Sequence, residues 1–299
     1  MRFGIPELST GARPVVTWAL VAANLLVWLI MEMSGGSQDP EVLLKFGAMF
    51  APYIADGQYW RLFAAMFLHV GFVHLLFNSI GLLIFGAVVE RLYGHSRFVA
   101  IYILAGLAGS VASYLLNDIT VGAGASGAIF GVMGAFAAFF VSGRHVLGDA
   151  ARQSLSGIAV LLAINLFFGF ATPEIDNWAH LGGLTAGFAV GLALSPQYRR
   201  VSLPVPFGEE YRLVLVGVAV RRWLVLAAVV AFLVIGATLG TATVPDNAAS
   251  RLQRAERLIN DERFGAAMIE LRAARDLAIE ERNPGALARI GQLLSQIPR

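Results

Sequence analysis

The stretch GASGAIFGVMGAFAAFFV, residues 124–141, places a single hydroxyl, Ser126, at the head of an apolar run long enough to be a membrane helix. A second apolar run, Trp178 to Leu194, carries His180 near its own start. Small residues recur at every fourth position in both: Gly127, Gly131 and Ala135 in the first, Gly183, Gly187 and Gly191 in the second. Ridges of this kind let two helix backbones approach closely in lipid, where packing rather than a hydrophobic driving force joins helices. For two helices running in the same direction, Ser126 and His180 reach comparable depth, because they stand one and three positions before the first glycine of their ridges. The expectation is a hydrogen-bonded Ser126–His180 pair; plain helix packing is the alternative reading of the same ridges.

Composition sets the surroundings of that pair. Hydrophobic residues make up 57% of the chain and charged residues 14%, too little polar surface for a water-soluble globule. Apolar runs fall at Val15–Met33, His74–Val89, Phe98–Leu116, Ser126–Val141, Leu155–Phe170, Trp178–Leu194 and Trp223–Leu239. Most approach the length needed to cross about 30 Å of hydrocarbon. This predicts an all-α polytopic membrane protein with seven spans, the first a retained helix rather than a signal peptide. The lipid bilayer is therefore a partner. Basic residues cluster before span one (Arg2, Arg13) and in the even-to-odd connections (Arg91, Arg97; Arg144, Arg152; Arg199, Arg200, Arg212, Arg221, Arg222). The opposite connections hold only Lys45 and Arg61, so the N-terminus is expected in the cytoplasm. The same asymmetry accounts for the basic residues without any nucleic acid.

The expected organisation is a short cytoplasmic N-terminus (1–14), a six-span core (15–195), a basic cytoplasmic linker (196–222), a seventh span (223–241) and an extracytoplasmic helical tail (246–299). The connection Ser34–Leu68 is too polar to span and too apolar to float in water, so it belongs in the membrane interface, where aromatic residues are favoured. In the tail, Leu252, Ala255, Leu258 and Ile259 recur at helical spacing, then Ala266, Ile269, Leu271 and Ala274, and Asn283-Pro284-Gly285 is a stop before a third amphipathic segment. The tail resembles a tetratricopeptide-type hairpin faintly, which leaves room for a protein partner or for a small appendage without one.

The polar residues of the spans carry the chemistry. His74 and Asn78 are four apart and share a helix face. A serine hydroxyl is a weak nucleophile until a base takes its proton, and a neutral histidine is the usual base. The oxyanion formed by attack on a peptide carbonyl needs fixed donors, for which the Ser126 amide at a helix start and the side chains of His74 and Asn78 are available. No carboxylate stands among these spans to complete a triad, and Asp176 reads as a loop residue. Phe130 offers an aromatic face to the imidazole, whereas His69 reads as structural. The chain has no cysteine, no His-Glu-x-x-His motif and no intramembrane aspartate pair, which excludes thiol chemistry and disfavours metallo- and aspartyl proteolysis; no cofactor or metal is called for. A transporter also uses intramembrane histidines, but it predicts paired ionisable groups or inverted repeats, and neither is found.

Gly124-Ala125-Ser126-Gly127, His74-x-x-x-Asn78, Trp60-Arg61 before span two, and Ala179-His180-x-x-Gly183-x-x-x-Gly187 together resemble the signature of the rhomboid family of intramembrane serine proteases. The resemblance covers about Trp18 to Ser195, and its four motifs stand in family order. It implies a six-helix catalytic core with Ser126 as nucleophile, His180 as base, and His74, Asn78 and the Ser126 amide as oxyanion hole. Gly124, Gly127, Phe130, Trp60, Arg61, Gly183 and Gly187 support them, and Glu90-Arg91 matches a structural pattern. The seventh span is similar to the six-plus-one arrangement of the secretase-type bacterial branch, which implies a bacterial plasma membrane. The substrates implied are transmembrane proteins cut near the outer face. Phe130 departs from members with tyrosine there, losing a hydroxyl but keeping the ring. A non-catalytic binder or chaperone of transmembrane helices on the same fold is the alternative function.

Overall fold

A helix studded with glycine can sink between its neighbours, and one such helix organises this protein. The computed structural model describes residues 13–298 apart from 56, 117–120, 173–174, 206–207, 219–221, 244–246 and 261. Most of the expected N-terminus with Arg2, the outer turn after span three, Arg221 and the Pro245-Asp246 boundary lie outside the described residues. The order is α1 (Val15–Met33), three short helices α2 (Pro40–Phe46), α3 (Ala51–Ala55) and α4 (Arg61–Ala64), then a second long span built from α5 (Gly71–Gly81), a π turn (Leu82–Gly86) and α6 (Ala87–Tyr93). There follow α7 (His95–Leu116), α8 (Ser126–Leu147), α9 (Asp149–Ala171) and α10 (Asn177–Leu194). A hairpin of β1 (Pro196–Val205) and β2 (Gly208–Val218) leads to α11 (Arg222–Thr243) and the tail helices α12 (Ala248–Asn260), α13 (Phe264–Glu280) and α14 (Pro284–Leu294).

Among the described residues six helices are long and apolar enough to cross a membrane: α1, the α5–α6 span, α7, α8, α9 and α11. The expected sixth span, α10, is as long as a span but less apolar, because Asn177, His180 and four glycines dilute it. Its surroundings explain the difference. His180, Gly183, Ala186, Gly187, Val190 and Gly191 are buried against α7 and α8, so protein rather than lipid covers them. A methyl added at Gly183 or Gly187 would overlap the backbone of Gly127 or Gly131, and one at Gly191 would stand 2.6 Å from the Ala135 Cα. The four-residue ridges thus interlock backbone to backbone.

Elsewhere the seam is filled by bulk. Phe98, Tyr102, Phe136, Phe139 and Phe140 are fully buried toward the other end of the bundle, where the Tyr93 hydroxyl donates to the carbonyls of Ala135 at 2.8 Å and Gly191 at 3.2 Å. Glu90, buried completely, receives the N–H groups of Val16 at 2.9 Å and Thr17 at 2.8 Å and the Thr17 hydroxyl at 2.7 Å, so it caps the start of α1. First-turn amides of a helix have no partner of their own, and a carboxylate there also suits the helix dipole. α11 lies against α7 through Gly236, whose missing side chain leaves room for Val111, and the Thr241 hydroxyl shares hydrogen bonds with the hydroxyls of Tyr114 on α7 at 3.2 Å and of Tyr59 in the first connection at 3.1 Å.

The stretch expected to be a basic linker holds the hairpin instead, paired antiparallel from Pro196↔Val218 to Val205↔Gly208 with an irregularity at Gln197/Tyr198. Its arginines read as a linker, but Val201-Ser202-Leu203-Pro204-Val205 alternates as a strand does. The tail has its own core of Leu252, Ala255, Leu258, Leu271, Ala274, Ile290 and Leu293.

Candidate active site

Ser126 is the first residue of α8, and the cap before it, Ala125, offers no side chain to the first-turn amides. Those N–H groups are left for other acceptors. The approach to Ser126 is fixed by Gly124, whose φ of +137° suits glycine and whose absent Cβ would sit 2.8 Å from both Cε1 and Nε2 of His74. The imidazole of His74 therefore lies directly against the loop that delivers Ser126. The Val70 N–H donates to His74 Nδ1 at 3.4 Å, which leaves the proton on Nε2, the nitrogen facing that loop. Asn78, 7% exposed, gives one N–H of its amide to the His74 carbonyl at 3.0 Å.

On the facing helix, a Cβ at Gly127 would come 3.2 Å from the Ala179 carbonyl oxygen, and one at Gly109 of α7 would come 2.6 Å from it. The residues adjoining Ser126 and His180 are thus in direct contact, and His180 is 7% exposed. The Phe130 ring stacks on its imidazole with centroids 4.1 Å apart and planes 7° from parallel. Such a stack restricts the ring to one plane. His180 Nδ1 is buried without a hydrogen-bond partner among the described residues.

His69 precedes α5 and is fully buried, its ring 5.3 Å from that of His74. Burial, with a smaller contribution from His74, pushes its pKa down to about 3, so it is neutral at physiological pH. Trp60 and Arg61 organise the first connection. Arg61 donates to the carbonyls of Leu44 at 2.8 Å and Ala48 at 3.1 Å and to Gln58 at 2.8 Å, and its guanidinium lies 4.8 Å from the ring centroids of Tyr53 and Trp60. Gly183 and Gly187 form the α8–α10 seam already described.

Asp176, expected to be a loop residue, and Ser113, which the sequence reading did not single out, join the site. Asp176 caps α10, accepting the Ala179 N–H at 3.0 Å, and its other carboxylate oxygen receives the hydroxyl of Ser113, a buried residue of α7. The aspartate ties the first turn of α10, one residue from His180, to α7. Aspartate three residues before Ala179 at a helix start is a recognisable capping signal. Ser113 carries no such signal, because its partner comes from a remote part of the chain.

The Rhomboid domain matches residues 56–197. Rhomboid protease GluP of Bacillus subtilis (strain 168) is 42% identical over 182 residues, 61% of this chain and 35% of that protein. RHOMBOID-like protein 5 of Arabidopsis thaliana is 37% identical over 54% of this chain and 52% of its own length. The chain thus spans about a third and about half of these two relatives. Putative rhomboid protease YdcA of Bacillus subtilis (strain 168) is 33% identical over 193 residues, 62% of this chain and 92% of that protein. With that relative matched over nearly its full length, and with the motifs around Ser126 and His180 inside the matched domain, the chain belongs to the rhomboid family.

Proposed function

We propose that this protein is an intramembrane serine endopeptidase that cuts transmembrane proteins near the outer face, with Ser126 and His180 as a catalytic dyad. The observation that carries the reading is the glycine seam: it sets Gly127 against Ala179, and so the start of α8 against the start of α10, while His74 Nε2 faces the loop leading to Ser126. In the first step His180 takes the Ser126 hydroxyl proton as Oγ bonds to the substrate carbonyl carbon. The carbonyl oxygen becomes an oxyanion, which the Ser126 amide, His74 Nε2–H and the free N–H of Asn78 stabilise. Collapse breaks the C–N bond, and the departing amine takes the proton from His180. Water then repeats the sequence on the acyl-enzyme and restores Ser126.

A transmembrane helix hides its amides in its own hydrogen bonds, so substrates need small or helix-destabilising residues where they unwind. The arginine distribution supports an orientation with the Ser126 end outside the cytoplasm, together with the tail that packs at that end, in a bacterial plasma membrane. Replacing Ser126 with alanine tests the reading: cleavage of a model transmembrane substrate, and labelling by a fluorophosphonate, should both vanish. Retained cleavage would refute the dyad. Asn78→Ala should slow the reaction by about 100-fold, the loss typical of an oxyanion-hole donor.

A further inference from the structure

The loop carrying Ser126 is held from the side of the first connection. Met49 and Gly122 exchange backbone hydrogen bonds of 2.8 and 2.9 Å, and the Gly124 N–H donates to the Ala65 carbonyl at 2.9 Å. Val121, next to that bridge, packs into two apolar clusters of the same connection. The connection is in turn gripped by the tail. Ile269 of α13, 7% exposed, shares a cluster with Leu44 and Phe50, against which Tyr53 and Val121 also pack. The Arg251 guanidinium lies 5.9 Å from the Phe50 ring centroid, a methyl at Gly265 would meet Pro40 at 2.7 Å, and Arg272 forms an ion pair with Glu41. A continuous line of contact therefore runs from α13 through Phe50 and Val121 to the Met49–Gly122 bridge, Gly124 and Ser126.

We propose that the C-terminal tail is a positioning element for the nucleophile loop, acting through Ile269 on Phe50 and Val121, so that its docking sets the reactivity of Ser126. Recruiting a substrate by itself would not require the tail to bury an isoleucine beside the segment that precedes the nucleophile. Positioning does require it, because a displacement of about 1 Å at a reacting atom slows catalysis by as much as about 100-fold. The inference rests on Ser126 being the nucleophile.

The test uses full-length protein in proteoliposomes and two readouts: the second-order rate of fluorophosphonate labelling at Ser126, which needs no substrate recruitment, and kcat and KM on a transmembrane substrate. Ile269→Glu should slow labelling and kcat about 10-fold with KM little changed, and Ile269→Leu should retain both. Arg272→Glu breaks an exposed ion pair and should slow labelling about 2- to 5-fold; adding Glu41→Arg should restore it. This charge-swap pair answers the same question if Ile269→Glu fails to fold. Labelling that is unchanged or faster in these variants, or an effect confined to KM, overturns the proposal. Wild-type protein that fails to label at Ser126 overturns the reading of the dyad instead.

Discussion

α9 and α10 are neighbours of similar length, yet the bundle treats them as opposites. α10 is glycine-rich, enclosed by α7 and α8, and too polar to pass for a lipid-facing span. α9 is polar at its start, with Asp149, Arg152 and Gln153, but apolar over its later turns and mostly exposed, with Phe167 and Phe170 each 70% accessible and Phe168 61%. The helix that carries a membrane-crossing apolar stretch is thus the peripheral one, the reverse of a water-soluble protein. In lipid an exposed phenylalanine is already well solvated, so burying it contributes little, and close backbone contact becomes the main source of cohesion. The consequence for function is a division of labour. α10 holds His180 in a fixed frame, and α9 is the wall with least to lose by moving.

The largest effect should come from breaking the frame. A side chain at Gly183 or Gly187 enters the backbone of α8 directly, with no flexible group to yield. Gly183→Val should destabilise the bundle by about 3 kcal/mol or more, toward the upper end for overpacking, and abolish cleavage. Thermal unfolding in detergent and a substrate assay would show both. The cap of α10 should matter less. Asp176→Ala removes an N-cap, typically about 1 kcal/mol, and also frees the first turn of α10 from Ser113, so cleavage should fall about 10-fold. Asp176→Asn keeps an oxygen for the Ala179 N–H and should retain most of the activity. Equal loss in the two variants would mean that charge, not the tie between helices, is what the site uses. Phe130→Ala should slow turnover about 2- to 10-fold through loss of a stack worth about 0.5–1.5 kcal/mol, and Phe130→Tyr should have little effect.

How far this contrast can be read from sequence depends on whether a feature is local. The run Val15–Met33 coincides with α1, and the four-residue small ridges announce the α8–α10 contact, because period and residue size are properties of the chain itself. The shorter runs stop before their helices do. α8 and α9 extend over Arg144 and Asp149, since a helix continues into the interface where charges are tolerated. Asp176 was legible as a cap but not as a tie, because Ser113 lies 63 positions away. Likewise, helical spacing announces a tail helix through Ile269, but nothing local says that its side chain meets Phe50 and Val121. Contacts of that kind are set by tertiary packing, which no short window of sequence encodes.

The smallest change should come at α9, and it sharpens the comparison most. Phe167 faces outward from a helix whose buried residues are only Ala151, Ile158 and Gly169. Phe167→Ala should therefore alter stability by no more than about 0.5 kcal/mol, as for surface positions away from special features. The reactivity of Ser126 toward a fluorophosphonate should also be unchanged, because the frame made by α7, α8 and α10 is untouched. Cleavage of a transmembrane substrate should nevertheless change, since a helix arriving from lipid must pass a wall that a small soluble reagent does not meet. Engineered cysteines joining α5 to α9 should slow that cleavage under oxidising conditions and release it on reduction, a clean experiment in a chain with no cysteine of its own. If the tether leaves substrate cleavage as fast as before, α9 is a passive wall and its exposure reflects only the solvent it faces. If the tether slows substrate and small reagent alike, α9 belongs to the frame after all, and the division between the two helices fails.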